Sequence, residues 1–130
     1  MKKNLLNLGA DNIFYMSCTS GKGGYDQIIC NPTEKKPSEG DILMIDTGAT
    51  FDGYFCDFDR NFAFGKASSE VEKVYEVLWE ATEIGINAAI PGATTFDVYN
   101  AMNKAISEVS VAGNNVGRLG HGLGLQSVSY

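Results

Sequence analysis

The segment from Gly40 to Phe62, G-D-I-L-M-I-D-T-G-A-T-F-D-G-Y-F-C-D-F-D-R-N-F, constrains this chain more than any other stretch. An apolar run, Ile42 to Ile45, ends in Asp46. Asp52-Gly53 is a strong two-residue turn signal of the type I′ kind, and the chain returns through Tyr54, Phe55 and Cys56 to Asp57. With Asp52 and Gly53 as the loop of a β-hairpin, Phe51 pairs with Tyr54 and Gly48 lies opposite Asp57. Side chains alternate along a strand, so Asp46 points to the same face as Gly48. Asp59 falls on that face as well, opposite Asp46, while Arg60 points to the other. Diagonal neighbours on one face lie roughly 7–8 Å apart at Cα and closer at Cβ. Two carboxylates at that spacing, Asp46 and Asp57, can share or bridge cations.

Acidic side chains inside strands are disfavoured unless something offsets their desolvation, and a metal cation does that well. The bland alternative is a solvated hairpin with its acids on a wet face. Ile42, Met44, Ile45, Phe55 and Phe58 make both faces look buried and argue against it.

The chain as a whole is ordinary for one globular domain with a core: 130 residues, 44% hydrophobic and 20% charged. A net charge of −6 with no basic stripe speaks against a nucleic-acid partner. The N-terminus lacks the apolar core of a signal peptide, and no apolar run approaches the roughly 20 residues of a membrane helix. Cys18, Cys30 and Cys56 are odd in number, widely spaced and without a C-x-x-C pair. They read as small buried hydrophobes in a reducing cytoplasm rather than as a disulfide framework or a nucleophile.

Asn12 to Cys18 reads as a strand, Thr19 to Gly24 as a flexible loop, Asp26 to Cys30 as a second strand, and Asn31 to Gly40 as a polar connection. After the hairpin, Ser69 with Glu72 forms a capping-box pattern. Val71, Val74, Tyr75, Leu78, Ala81, Thr82 and Gly85 then recur at helical spacing, as ordinary core packing requires, until Pro91-Gly92 stops the helix. Thr95 can cap a second helix whose inner face carries Phe96, Tyr99, Met102, Ala105, Ile106 and Val109. The 113–117 stretch breaks it, and a strand-like L-Q-S-V-S-Y closes the chain. Helices grouped after antiparallel strands predict an α+β fold rather than a doubly wound sheet.

His121, the one histidine, stands between Gly120 and Gly122. Bare backbone lets a ligand approach closely. A phosphate-cradling loop is weakly supported, because no capped helix follows. That leaves a histidine satisfied in the core or an imidazole metal ligand; the acidic hairpin favours the ligand, since a carboxylate pair wants a further donor. Asp57-x-Asp59-x-Asn61 does not make an EF-hand loop, because Phe62 stands where glycine is needed. Ser17, Ser20 and Ser38 have no histidine nearby in sequence to form a serine triad.

The hairpin pattern G-D-x-x-x-I-D-x-G-x-x-x-x-G-Y-x-x-D-x-x-R-x-F, the helix pair split by P-G and the tract G-x-x-G-H-G-x-G together resemble the pita-bread metallopeptidases. That family includes methionine aminopeptidase, aminopeptidase P, prolidase and creatinase. The resemblance runs from about Gly40 to Leu125, and D-F-D-R-N-F with G-H-G-L-G-L-Q is most similar to the prolidase, creatinase and dimethylsulfoniopropionate-lyase-like branch. It implies a partial pita-bread fold over residues 1–130, an antiparallel sheet with helices packed on one face. It also implies a dinuclear site built from two aspartates, a histidine and two glutamates. Asp46, Asp57 and His121 match the first three, with His121 also in the catalytic set; the glutamates fall beyond this chain. The implied cofactors are two divalent cations (manganese, cobalt, iron or zinc) in an intact parent of which this chain is an inactive fragment. Asp59 stands where a Ser or Thr is usual, and Arg60 is implied as a residue that holds carboxylates in place.

The resemblance is incomplete at two histidines that help bind substrate and handle protons. Val128 stands where the second follows the first, and Asn31 or a neighbour stands where one precedes the hairpin. The leading expectation is an Xaa-Pro dipeptidase or aminopeptidase acting on short peptides. One alternative is a lyase or small-amide hydrolase on the same scaffold. Another, of a different class, is a non-catalytic binding module. The truncated sheet is also expected to pair with a second copy as a homo-oligomer.

Overall fold

The computed structural model describes residues 1–107 and 118–127. Expectations for Val109, the 113–117 break and Val128 lie outside the described residues. The elements run α1 (Lys2–Asn7), β1 (Asn12–Lys22), β2 (Asp41–Phe51), β3 (Tyr54–Ala63), α2 (Ser69–Ala88) and α3 (Thr95–Ser107). The class is α+β, with a three-stranded antiparallel sheet in the order β1-β2-β3. Two compact units make up the chain: the sheet with α1 and the tract from Gly122, and residues 69–121 with the two long helices.

In the sheet unit, the hairpin has the register its turn dictates. Asp52 and Gly53 both have positive φ, 49° and 79°, as a type I′ loop requires. The Asp11 carboxylate accepts a bond from Gly53 N at 3.0 Å and pins the turn. Phe51 pairs with Tyr54, Gly48 with Asp57 and Asp46 with Asp59. The central strand β2 is enclosed on both sides, with Met44 fully buried and Ile42 and Ala49 nearly so.

Two expectations for the segment before the hairpin change. β1 runs on through Lys22, because its residues from Tyr15 onward pair continuously with β2; that ladder overrides the glycine at position 21. Asp26–Cys30 is not a strand. Its end is held at the outer edge of β1, where Cys18 N donates to Cys30 O at 3.3 Å. The Ser17 hydroxyl receives Cys30 N at 2.8 Å and reaches the carbonyls of Ile28 and Cys30 at 2.7 and 2.8 Å. A side chain thus replaces the ladder that the apolar composition predicted. The final tract is likewise irregular over Leu125–Ser127. The three cysteines are free thiols.

In the helical unit, α2 and α3 pack closely because Gly85 has no side chain. A Cβ there would lie 2.6 Å from Met102 Sδ and 2.8 Å from Met102 Cγ. Ala81, one turn earlier, is 1% exposed at the same seam. Both helix starts sit one residue from where the sequence pattern put them. Ser69 is already helical. The cap of α3 is Thr94 rather than Thr95: its hydroxyl accepts from Asp97 N at 3.2 Å, and the Asp97 carboxylate accepts from Thr94 N at 2.8 Å. Among the described residues no helix is long and apolar enough to cross a membrane.

Candidate metal centre

Lateral pairing across the three strands builds the site. One row is Tyr15–Gly48–Asp57 and the next is Ser17–Asp46–Asp59. All six residues share one face of the sheet, because rows two residues apart along β2 point the same way. Asp46, Asp57 and Asp59 are therefore brought together on one face, as the hairpin geometry predicts.

Electrostatics distinguish Asp46 from Asp59. Burial pushes the Asp46 carboxyl up to about 6, helped by the negative charges of Asp57 and Asp59 and by a proton that Asp57 can share with it. Asp46 Oδ1 is buried and has no hydrogen-bond partner. A buried acceptor without a donor costs free energy that a cation would recover. Asp59 is more open; partial burial and Asp57 raise its carboxyl, and Arg60 partly offsets this. Arg60 lies on the opposite face, as expected. Its guanidinium donates to the Asp59 carbonyl at 2.6 Å and stacks over the Phe58 ring at 5.5 Å, and its charge acts on the Asp59 carboxyl.

Two residues join this face that the sequence reading did not single out. The Tyr15 hydroxyl reaches both Asp57 and Asp46, and its own acidity is pushed well below normal by burial and by those carboxylates. Tyr25, from the glycine loop, bonds Asn61 Oδ1 at 2.8 Å; burial and then Asp59 raise its hydroxyl pKa. The sequence carried a weak signal for Tyr15, a tyrosine in a strand, but its face depends on a bulge. β1 gains one residue between Ile13 and Tyr15. Without that extra residue, Phe14 rather than Tyr15 would oppose Gly48.

The donor set fits part of a cation site. Asp46 and Asp57 are hard oxygen donors of the kind divalent cations take. Among the described residues, no group of three or more His, Cys, Asp or Glu side chains is gathered to hold an ion. His121 ends the helical unit, and Gly122 begins the tract assigned to the sheet unit. In that tract Gly124 O accepts a bond from Phe55 N at 2.7 Å.

Comparison with known proteins places this arrangement. A 94-residue stretch is 30% identical to the Xaa-Pro dipeptidase of Pyrococcus furiosus, covering 72% of this chain and 27% of that protein. A 99-residue stretch is 31% identical to an uncharacterized peptidase of Staphylococcus aureus strain USA300, covering 76% of this chain and 28% of that one. The solved dipeptidase of Pyrococcus horikoshii OT3 superposes with a TM-score of 0.87 at 30% identity, over 99% of this chain and 36% of that structure. The chain thus spans about a third or less of these relatives, and its fold is part of the pita-bread architecture. The sequence profile of metallopeptidase family M24 matches residues 1–129, and with the sheet that carries Asp46 and Asp57 this places the chain in metallopeptidase family M24.

Proposed function

We propose that this chain carries part of the active site of a dinuclear-metal-dependent hydrolase that removes the N-terminal residue from short peptides, in the manner of an Xaa-Pro dipeptidase or aminopeptidase. The observation that carries this is the buried, unpartnered Asp46 Oδ1 beside Asp57 on one face of the sheet. Resemblance to an Xaa-Pro dipeptidase and a dipeptidase supports the substrate class.

Asp46 and Asp57 would hold the cations, with His121 as the nitrogen donor and two glutamates from the remainder of the parent. Manganese, cobalt, iron or zinc would suit such donors. When bound, such ions lower the pKa of water and polarise a carbonyl. The chain's own part is to fix two anionic oxygens on a rigid sheet and to keep bulk water from Asp46. Asp59 adds negative charge on the open side, where a substrate's ammonium group can be attracted. A full-length parent loaded with manganese should cleave X-Pro dipeptides, and His121→Ala should abolish the cleavage. Metal analysis showing no bound divalent ion in an active parent would sink the reading.

A lyase or small-amide hydrolase on the same scaffold is the second reading. Asp59 favours it, because it places a third carboxylate directly opposite Asp46. Incubating the parent with dimethylsulfoniopropionate beside the dipeptides separates the two. A non-catalytic binding module would bind peptide without turnover in the same assay. Self-association belongs to the proposal as well: Phe58 and Phe62 are half exposed on β3, the strand at one border of the sheet. A strict monomer by light scattering would remove that part.

A further inference from the structure

Tyr15 is held by three independent features of the sheet. The first is the bulge at Phe14, which turns the Tyr15 ring onto the carboxylate face. The second is Gly48. A Cβ at that position would lie 2.1 Å from Tyr15 Cε1 and 2.7 Å from both Cδ1 and Cζ. The ring therefore lies across bare backbone, in space that any side chain at position 48 would fill. The third is Phe55, whose ring stacks on Tyr15 with centroids 6.4 Å apart and planes 22° from parallel. Since Gly48 pairs with Tyr15 on one side and Asp57 on the other, a ring crossing Gly48 delivers its hydroxyl to the acids.

We propose that Tyr15, seated on Gly48, is a positioning residue for the Asp46–Asp57 pair, its hydroxyl turning both carboxylates toward one point. This rests on the reading of Asp46 and Asp57 as cation ligands. A hydroxyl bonded to a carboxylate uses one lone pair and leaves the others for an ion, while it restricts rotation about the last side-chain bond. Partners of this kind, one shell outside a metal ligand, typically change metal affinity by about 10–100-fold. Gly48 has a defined part here: its missing side chain is what allows the hydroxyl to arrive.

The test uses the 130-residue chain, with free Mn²⁺ followed by electron paramagnetic resonance into the millimolar range, and the melting midpoint of the metal-free protein measured in parallel. Tyr15→Phe keeps the ring and removes the hydroxyl. It should weaken Mn²⁺ binding by about tenfold while leaving the metal-free melting midpoint close to that of the unaltered chain. Gly48→Ala should weaken binding comparably although the hydroxyl is still present. In the Tyr15→Phe background the same alanine should add little further loss, because the two changes act through one contact. Tyr15→Phe with unaltered Mn²⁺ affinity would overturn the positioning role, provided Asp46→Asn still abolishes binding. Failure of the unaltered chain to bind, or binding that survives Asp46→Asn, would overturn the ligand reading and the positioning role with it. A melting midpoint that falls in Tyr15→Phe while affinity holds would make the residue structural only and also overturn the inference.

Discussion

The carboxyl groups of Asp46 and Asp57 sit one diagonal step apart across the β2–β3 ladder, close enough to share a proton. In the metal-free chain that closeness is a repulsion that protonation relieves. With a cation bound it would become an attraction. The sheet therefore carries a local cost that a ligand can remove, which is common at functional sites.

A pH dependence follows from the same pair. Burial, followed by the charge of Asp57, raises Asp46 from 3.8 to about 6 in the folded chain. The folded state then holds a proton more tightly than the unfolded state does between those values. Stability from the protonated form is complete below the unfolded pKa and is lost as pH rises through about 6. Asp46→Asn removes this loss. Urea denaturation without metal, compared from about pH 4 to pH 7, should show the variant losing less stability than the unaltered chain. Parallel curves would refute the assigned shift.

Gly85 sets the spacing of α2 against α3, since any side chain there meets Met102. Gly85→Leu should destabilise the chain by about 1–3 kcal/mol through overpacking, despite a better intrinsic helix propensity. Trimming the partner with Met102→Ala in the same protein should recover part of that loss. Chemical denaturation of both variants measures it.

Thr94 and Asp97 cap α3 reciprocally. Thr94→Ala should cost about 1 kcal/mol, and Thr95→Ala much less, because the cap sits at position 94. Denaturation midpoints that rank the other way would move the cap to Thr95.

On the proposed ligand set, two carboxylates and one imidazole would leave each of two ions under-coordinated. The chain alone is therefore expected to bind manganese more weakly than micromolar and to show negligible dipeptide turnover. Isothermal calorimetry and a dipeptide assay check both. Micromolar affinity would mean that the chain completes its own site.

The acidic face of the candidate site was readable because two local rules suffice. A two-residue Asp-Gly loop fixes which residues pair, and the period of two fixes which face each occupies. Asp46, Gly48, Asp57 and Asp59 follow from those rules alone, and the register agrees. The two long helices were readable from their 3.6-residue stripe and the Pro91-Gly92 stop. Their caps slipped by one residue, since neighbouring Ser or Thr pairs (Ser68-Ser69, Thr94-Thr95) offer the same hydroxyl twice. Asp26–Cys30 misled because strand-forming residues need a partner strand, and here the Ser17 hydroxyl and the Cys18 backbone take that place.

The sequence by itself determined the acidic face, because turn chemistry and alternation act over a few residues and need no distant partner. Only the tertiary structure decided that Tyr15 stands over Gly48 and that Tyr25 reaches Asn61. One depends on a single-residue bulge and the other on a loop folding back across the sheet. Both are settled by how strands pair over long separations, which local propensity does not encode.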